Sequence, residues 1–484
     1  MKRIFIFILI MMFLASRSYS QTNETLITLD DFIQKALKNY PTPKINAYSL
    51  NYAKARLLQA KAINDINLKS DFYKTFAHPI PESTITIDKS GIDTFSFSAE
   101  KVLPFSGTRL SAGIGLTDIE QDYASSAFFP AGASQTYFVP EVSFQISQPI
   151  LKNWLGLLDR LPVQQAELNI KLNRERNKEA DEIFILELHN LYYNWILNIE
   201  QLKIYTQHYE NADALLRQTQ KKYKSGVAEA VDLHKTKAIT INYKKAMTLY
   251  KSQLLNMEKN ILTYYTGDTS YQKEIKPDYD YINDPADYQI NDLNAADTRK
   301  MRILKFSKEV LDKEIMMGKS EKLPQLDLIF SGTLQSYSLN ERKFNEFKYD
   351  EYTIGLALVY PLGDHMARGN LEAVKSETDK LNNDIEEFRL NYSYNLSQLI
   401  EMINTYRIIV QEDRELIQTI KDQLSAERKK YSQGRSGLYY VIEVRNDLLT
   451  AELDYIKDIM QFKNLYVQYL DITDKLYAQH VKYR

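Results

Sequence analysis

Tyr223-Lys-Ser-Gly226-Val-Ala-Glu-Ala-Val-Asp232-Leu lies near the middle of the chain, and Tyr431-Ser-Gln-Gly434-Arg-Ser-Gly-Leu-Tyr-Tyr440 lies near its end. The two Tyr-x-x-Gly turns stand 208 residues apart, and what surrounds them repeats at the same offset. Before the first turn, Leu188, Leu191, Trp195, Asn198, Leu202, Tyr205, Tyr209, Ala212, Leu216 and Thr219 follow one another at alternating steps of three and four. Before the second, Leu396, Leu399, Ile403, Tyr406, Val410, Asp413, Ile417, Ile420, Leu424 and Glu427 keep the identical spacing. The alternation resumes after each glycine. Thr236, Thr240, Tyr243, Met247, Tyr250, Leu254, Met257 and Ile261 match Val444, Leu448, Ala451, Tyr455, Asp458, Phe462, Leu465 and Tyr469. A period of 3.5 held this long means helices packed side by side as in a coiled coil. Each half therefore contains a long antiparallel helical hairpin, and the chain is an internal duplication.

The glycines have a local reason. A helix commonly ends on a residue in the left-handed conformation, where a Cβ is costly. Gly226 and Gly434 fit that cap, and Lys221, Lys222 and Lys224 complement the helix end in the first copy.

Between the helical segments the period changes to two. Phe95, Phe97 and Ala99 alternate with serines; so do Leu110, Ala112, Ile114 and Leu116, and then Val142, Phe144 and Ile146, with small or polar residues. The second half repeats this with Leu326, Leu328 and Phe330, then Tyr352, Ile354, Leu356, Leu358 and Tyr360. Such runs have one apolar face, as half-buried or membrane-barrel strands do. Pro149 and Pro361 close the last strand of each half before helix resumes, and polar loops over 118–138 and 335–350 join the strands at one end. The first half is longer by an inserted Leu103-Pro-Phe-Ser-Gly107-Thr turn, with room for a further hairpin, so its strand number stays open.

Two hairpins give about four strands, whereas membrane barrels begin at about eight. An open sheet in lipid would leave unsatisfied backbone groups along its edges. Several copies must then contribute strands to one closed barrel around a rotation axis.

Lys2-Arg3, the apolar run Ile4–Leu14, and Ser18 and Ser20 before Gln21 read as a secretory signal peptide over 1–20, leaving a mature chain from about Gln21. No later segment has the roughly 18–20 uninterrupted apolar residues of a spanning helix. The absence of cysteine excludes disulfides and thiolate metal sites and leaves no cysteine for a lipid anchor. With 61 basic and 63 acidic residues there is no electrostatic case for nucleic acid. The six histidines (78, 189, 208, 234, 365 and 480) form no ligand spacing, Gly113-Ile-Gly115 lacks a third glycine and a following helix, and no nucleophile or acid–base pair is apparent. The reading is of a protein without catalytic, cofactor-binding or metal residues.

Signal peptide, helix, strand hairpin and helical hairpin, then the same again, resembles the TolC family of outer-membrane efflux proteins over nearly the whole mature chain. Thr28-Leu-Asp30 to Pro41 is similar to the family's opening helix, Gln148-Pro149-Ile-Leu151 and Tyr360-Pro361-Leu362 to its strand–helix junctions, and the two Tyr-x-x-Gly segments to its hairpin tips. Tyr440 departs from the pattern, standing where an acidic residue would match Asp232. The resemblance implies a homotrimer with about four strands per protomer in one outer-membrane β-barrel, continued by a periplasmic α-helical coiled-coil barrel.

On this reading the domains are 21–267 (strands 66–149, helical hairpin 161–267), an equatorial linker 268–292, a second repeat 293–470 (strands 324–361, helical hairpin 366–470) and a tail 471–484. Partners implied are a periplasmic adaptor (membrane fusion) protein, an inner-membrane pump of RND or ABC type, and outer-membrane lipid. The candidate adaptor contacts are Tyr223, Gly226, Val227, Asp232, Tyr431, Gly434, Arg435 and Ser436. Phe128, Phe129, Tyr137, Phe138, Phe344 and Phe347 suit either an interfacial girdle or loop packing. Asp413 and Glu427 interrupt the apolar stripe and suit either a lumen or closed-entrance lining or, as the safer reading, exposed coiled-coil charges. The alternative to a duct is a periplasmic coiled-coil scaffold whose strands form a soluble sandwich.

Overall fold

The structure, a computed structural model, describes residues 25–80, 87–125, 130, 132–270, 274–279, 295–344 and 346–481. The segment read as a signal peptide lies outside the described residues. Contacts divide the chain into two units. One comprises the chain up to Ala47, Asn177–Arg299 and the chain from Phe388; the other comprises Tyr48–Arg176 and Lys300–Glu387.

The duplication holds at the level of helix ends. Helix α3 (Leu157–Lys224) and helix α6 (His365–Ser432) each run 68 residues and both begin and end 208 positions apart. Each is followed, beyond its glycine, by a shorter helix, α4 (Ala230–Thr266) and α7 (Leu438–Ile472). In the first unit the 3-4 stripe is the buried seam. Trp195 and Leu188 are fully buried, Ala212, Thr219, Thr236, Thr240 and Tyr243 nearly so, and Ile403, Val410, Leu424, Val444, Leu448 and Phe462 repeat this in the second hairpin. Fully burying one such large side chain contributes about 1.5–3 kcal/mol, so the seams outweigh the weak intrinsic preference of these sequences for helix.

Short elements close the same unit. Strand β1 (Thr25–Ile27) pairs in parallel with β6 (Ile275–Pro277). Helix α1 (Leu29–Asn39) starts on Thr28, whose Oγ1 accepts from the Asp31 amide at 3.1 Å. Its apolar face, Phe32, Ile33, Ala36 and Leu37, enters the core around Trp195 and Tyr192. The Tyr192 hydroxyl reaches the carbonyls of Ile27 (2.8 Å) and Asp278 (3.1 Å), pinning the β1–β6 ladder onto α3. Helix α8 (Leu476–His480) buries Leu476 in that core.

The second unit is a sheet fed by helices α2 (Pro41–Ala60) and α5 (Arg299–Glu321). Its strands are β2 (Ile66–Ala77), β3 (Ile87–Leu103), β4 (Thr108–Tyr123), β5 (Ser134–Pro149), β7 (Gln325–Gln335) and β9 (Tyr349–Val359). They are antiparallel throughout in the order β2-β3-β4-β5-β7-β9, and the short β8 (Ser338–Leu339) pairs with β5. The path holds more strands than the four expected per chain. The inserted turn does make a hairpin, β3–β4, and Ile66–Ala77, which lacks a clean alternation signal, pairs along its whole length with β3.

Candidate functional site: a two-faced sheet and two hairpin tips

The register of the sheet decides what each face is made of. Following partners across the ladder, Leu68 meets Ala99, then Ala112, Phe144, Gly332 and Tyr352. Two residues along lie Phe97, Ile114, Val142, Leu334 and, in the other direction, Leu110, Ile146, Phe330 and Ile354. The central row of this face is apolar from edge to edge, and the rows beside it are mostly apolar, broken by Ser70, Lys101 and Asp350. The reverse face carries Asn67, Lys69 and Asp71, then Ser96 and Ser98, Ser111 and Thr117, Ser143 and Gln145, Ser331 and Thr333, and Glu351 and Thr353. Large apolar side chains on the first face stand in the open: Ile114 is 46% exposed and Leu356 66%. A contiguous apolar surface of this extent needs a non-aqueous neighbour.

Pro149 ends β5 opposite Asp327, and Pro361 stands just beyond β9. The two junctions differ. After Pro149 the backbone passes through left-handed conformations at Asn153, Leu155 and Gly156, and the Asn153 side chain caps α3 by accepting from the Leu158 amide at 2.8 Å. The β3–β4 turn is seated against this kink, since a Cβ on Gly156 would fall 1.9 Å from the Pro104 carbonyl oxygen. The inserted turn is thereby fixed at the helix end of the sheet.

Each hairpin tip ends in the same backbone motif. Gly226 (φ +74) donates to the Tyr223 carbonyl at 3.0 Å and Val227 to that of Lys222 at 2.8 Å. Gly434 (φ +71) and Arg435 repeat this with Tyr431 (3.1 Å) and Lys430 (2.9 Å). This pair of bonds satisfies the last helical carbonyls. Nothing lies within 4 Å of where a Cβ would stand on either glycine, and Val227 is 74% exposed. The tips are in contact: the Lys222 ammonium sits over the Tyr431 ring at 4.1 Å and that of Lys235 over Tyr439 at 4.6 Å. Ser436 donates to Glu427 at 2.9 Å, and Lys430 pairs with Glu427 at 2.7 Å, so this carboxylate braces the second tip. Asp232 lies in the first turn of α4, where its charge suits the helix N-terminus.

Several polar pairs were not brought together by spacing alone. Tyr205 and Tyr250 stack at 4.9 Å between ring centres. Their repeat equivalents are Asp413 and Asp458, and burial, then the neighbouring Asp458, pushes the Asp413 carboxyl up to about 6. Asp413 thus belongs to a seam carboxyl pair. Arg299 is buried against Glu182 and reaches Glu179 at 3.3 Å, while its amide bonds to Asp474. These three carboxylates cluster closely enough for a cation, and a guanidinium already stands among them. His189 and His480 meet Nε2 to Nε2 at 3.0 Å, and His480 Nδ1 lies 3.2 Å from Asp30. Burial, and then His480, pushes the His189 imidazole down to about 3. Of the aromatics read as girdle or packing, Phe138 packs edge-on against Phe344 at 5.4 Å and Tyr137 lies 5.6 Å from Tyr337, while Phe347 is exposed. Phe128 and Phe129 lie outside the described residues.

The family model of outer membrane efflux proteins matches residues 111–266. No curated protein sequence matches the chain. Solved structures share its fold along almost all of its length. A structure of CusC, reported for conformational changes accompanying folding and transmembrane channel formation, gives a TM-score of 0.67 at 11% identity, covering 94% of this chain and 95% of its own. The Campylobacter jejuni CmeC outer membrane channel gives 0.66 at 13% identity, covering 96% and 93%. The outer membrane protein VceC from Vibrio cholerae gives 0.65 at 12% identity, covering 93% and 95%.

Proposed function

We propose that this chain, which matches the family model of outer membrane efflux proteins over residues 111–266 and shares the fold of solved outer-membrane channels, is the passive exit duct of a tripartite efflux or type I secretion system. The observation that carries the reading is the apolar face that runs in register across a sheet with two open edges. Such a sheet is stable in lipid only when its edges are closed, and copies arranged around an axis close them. Three copies give a barrel in the outer membrane with the polar face lining the lumen. The long helices continue it into the periplasm as a coiled-coil cylinder. The linker 268–292, most of which lies outside the described residues, and the tail from 471 are assigned to a belt around its middle.

Function then resides at the ends of the duct. The tips, with Tyr223, Gly226, Val227 and Asp232 in one and Tyr431, Gly434, Arg435 and Ser436 in the other, receive a periplasmic adaptor protein that serves an inner-membrane pump of RND or ABC type. Gly226 and Gly434 support this assignment because their surroundings are open while their backbone is fixed. Energy comes from the pump; the duct supplies a path without chemistry. The test is fractionation. Outer-membrane fractions should contain heat-modifiable trimers, whereas recovery as a soluble monomer would favour the periplasmic scaffold and refute the duct.

A further inference from the structure

We propose that six strands of each copy, not four, enter the barrel, with β2 of one copy pairing antiparallel with β9 of the next, so that three copies close an eighteen-stranded wall. This rests on the trimeric duct proposed above and adds its strand number, edge pairing and register.

The extra hairpin is built like the rest of the sheet. On the apolar face β2 contributes Ile66, Leu68 and Phe72, with Ser70 between them, and β3 contributes Phe95, Phe97 and Ala99, in register with Leu116, Ile114 and Ala112 of β4, before Lys101 meets Leu110. On the reverse face stand Lys69, Asp71, Ser96 and Ser98. A hairpin lying in water outside the wall would have no use for phenylalanines aligned with the apolar band. Nor is it loosely attached. Partners run without a break from Ile92–Ile119 to Leu103–Thr108, and the β3–β4 turn is locked against the kink at Gly156. Strands of 9–11 residues suffice to span the membrane when tilted, and the shortest on the path have 11.

The two edges complement each other. Six antiparallel strands leave β2 and β9 pointing in opposite directions, so a β9–β2 junction keeps the wall antiparallel all round, and its total is even. The strands are 12 and 11 residues long, and overlapping them fully sets Leu68 of one copy opposite Leu358 of the next. That overlap also fixes the tilt. The ladder that starts at Leu68 reaches Tyr352, which then faces Lys74 of the next copy, a step of about six residues per copy. With strand rises of about 3.3 Å and spacings of about 4.8 Å, this shear gives a tilt of about 35°, within the range of membrane barrels. The wall would be about 34 Å across between backbones, against about 22 Å for twelve strands at the same tilt.

Exposure agrees. On the apolar face, Phe95, Phe97, Ile146, Leu328 and Phe330 of the inner strands are 38–40% exposed, whereas Leu68 and Phe72 of β2 are 66% and Ile354 of β9 is 76% exposed. The excess lies at the two edges, where each strand lacks one lateral neighbour.

The chain has no native cysteine, which permits a direct test in full-length protein in outer membranes. In the pair Leu68→Cys with Leu358→Cys, a short bifunctional maleimide should convert most of the monomer on denaturing gels to dimer and trimer. Leu356→Cys and Tyr360→Cys sample neighbouring registers. In the pair Leu110→Cys with Leu358→Cys, which tests a barrel whose free edge is β4, little should convert. Conversion of the second pair instead, or of no pair while native gels still show trimers, would overturn the six-strand wall. Monomers on native gels would overturn the duct itself. Independently, a bimane on Phe72→Cys should be quenched several-fold more by brominated lipid than one on Asp71→Cys. Equal quenching would place the β2–β3 hairpin outside the wall.

Discussion

Replacing Arg299 by methionine should loosen the point where the start of α5, the middle of α3 and the C-terminal α8 are tied together. The Arg299 and Glu182 side chains are 4% and 2% exposed, and Glu182 also accepts the Tyr477 amide at 2.9 Å. The guanidinium stacks over the Tyr477 ring at 5.3 Å. Even beside this cation, burial pushes the Glu182 carboxyl up to about 7, which measures how poorly the site tolerates charge. Removing one partner of such a pair costs about 3–5 kcal/mol, because the other charge is left buried. Read as local opening, that is a loss of about two to nearly four orders of magnitude in amide protection. Hydrogen exchange with mass-spectrometric readout over 299–303 and 476–481 is the assay, with the sheet as internal reference. The double variant Arg299→Met with Glu182→Leu should recover most of the loss, since an apolar pair of similar volume suits a buried site. Protection within tenfold of the parent in the single variant, or no recovery in the double, would refute the reasoning.

Gly226→Val and Gly434→Val should each cost only about 1–2 kcal/mol locally, from a left-handed backbone and not from a clash. Trimer should persist in the membrane while efflux, read as drug or cargo export from whole cells, is lost; normal export would remove the tips from the adaptor interface. Leu356→Arg, on the apolar face, should destabilise the folded barrel by about 2–4 kcal/mol in lipid vesicles, while Thr353→Arg on the reverse face is tolerated. Equal effects would contradict the assignment of faces. For His189 the folded form holds the imidazole neutral, so its contribution is complete above the ordinary histidine range and is lost as pH falls below it. Protection over 476–481 should fall on acidification from pH 7 to 5, and less so in His189→Gln. For Asp413 the sign is opposite. Its raised carboxyl favours the fold at low pH, and that advantage disappears as pH rises through about 6. Asp413→Asn should therefore raise the melting temperature at pH 7.5 and leave it unchanged at pH 4.

The helical half of the fold was legible because a long 3-4 stripe has one physical solution, and because two copies of it could be checked against each other. Trp195 and Ile403, read as equivalent seam positions, are both fully buried. The sheet was legible only where a strand alternates cleanly. In β2 the polar Ser70 falls among the apolar positions Ile66, Leu68 and Phe72, so the sequence placed the strand region from residue 66 while the strand's end and its pairing with β3 came from the structure. Pairs across the duplication needed a step that spacing does not provide, namely applying the offset to contacts. That step relates the Tyr205–Tyr250 stack to the Asp413–Asp458 carboxyl pair. His189 with His480, and Glu182 with Arg299, are separated by more than a hundred residues and join through tertiary packing alone.

The central claim, a closed duct, is tested most directly by current. Trimers purified from the outer membrane and added to a planar lipid bilayer should give discrete, long-lived conductance steps whose frequency rises with the amount of trimer. Intact, correctly folded trimers that insert into the bilayer and pass no current would contradict the account.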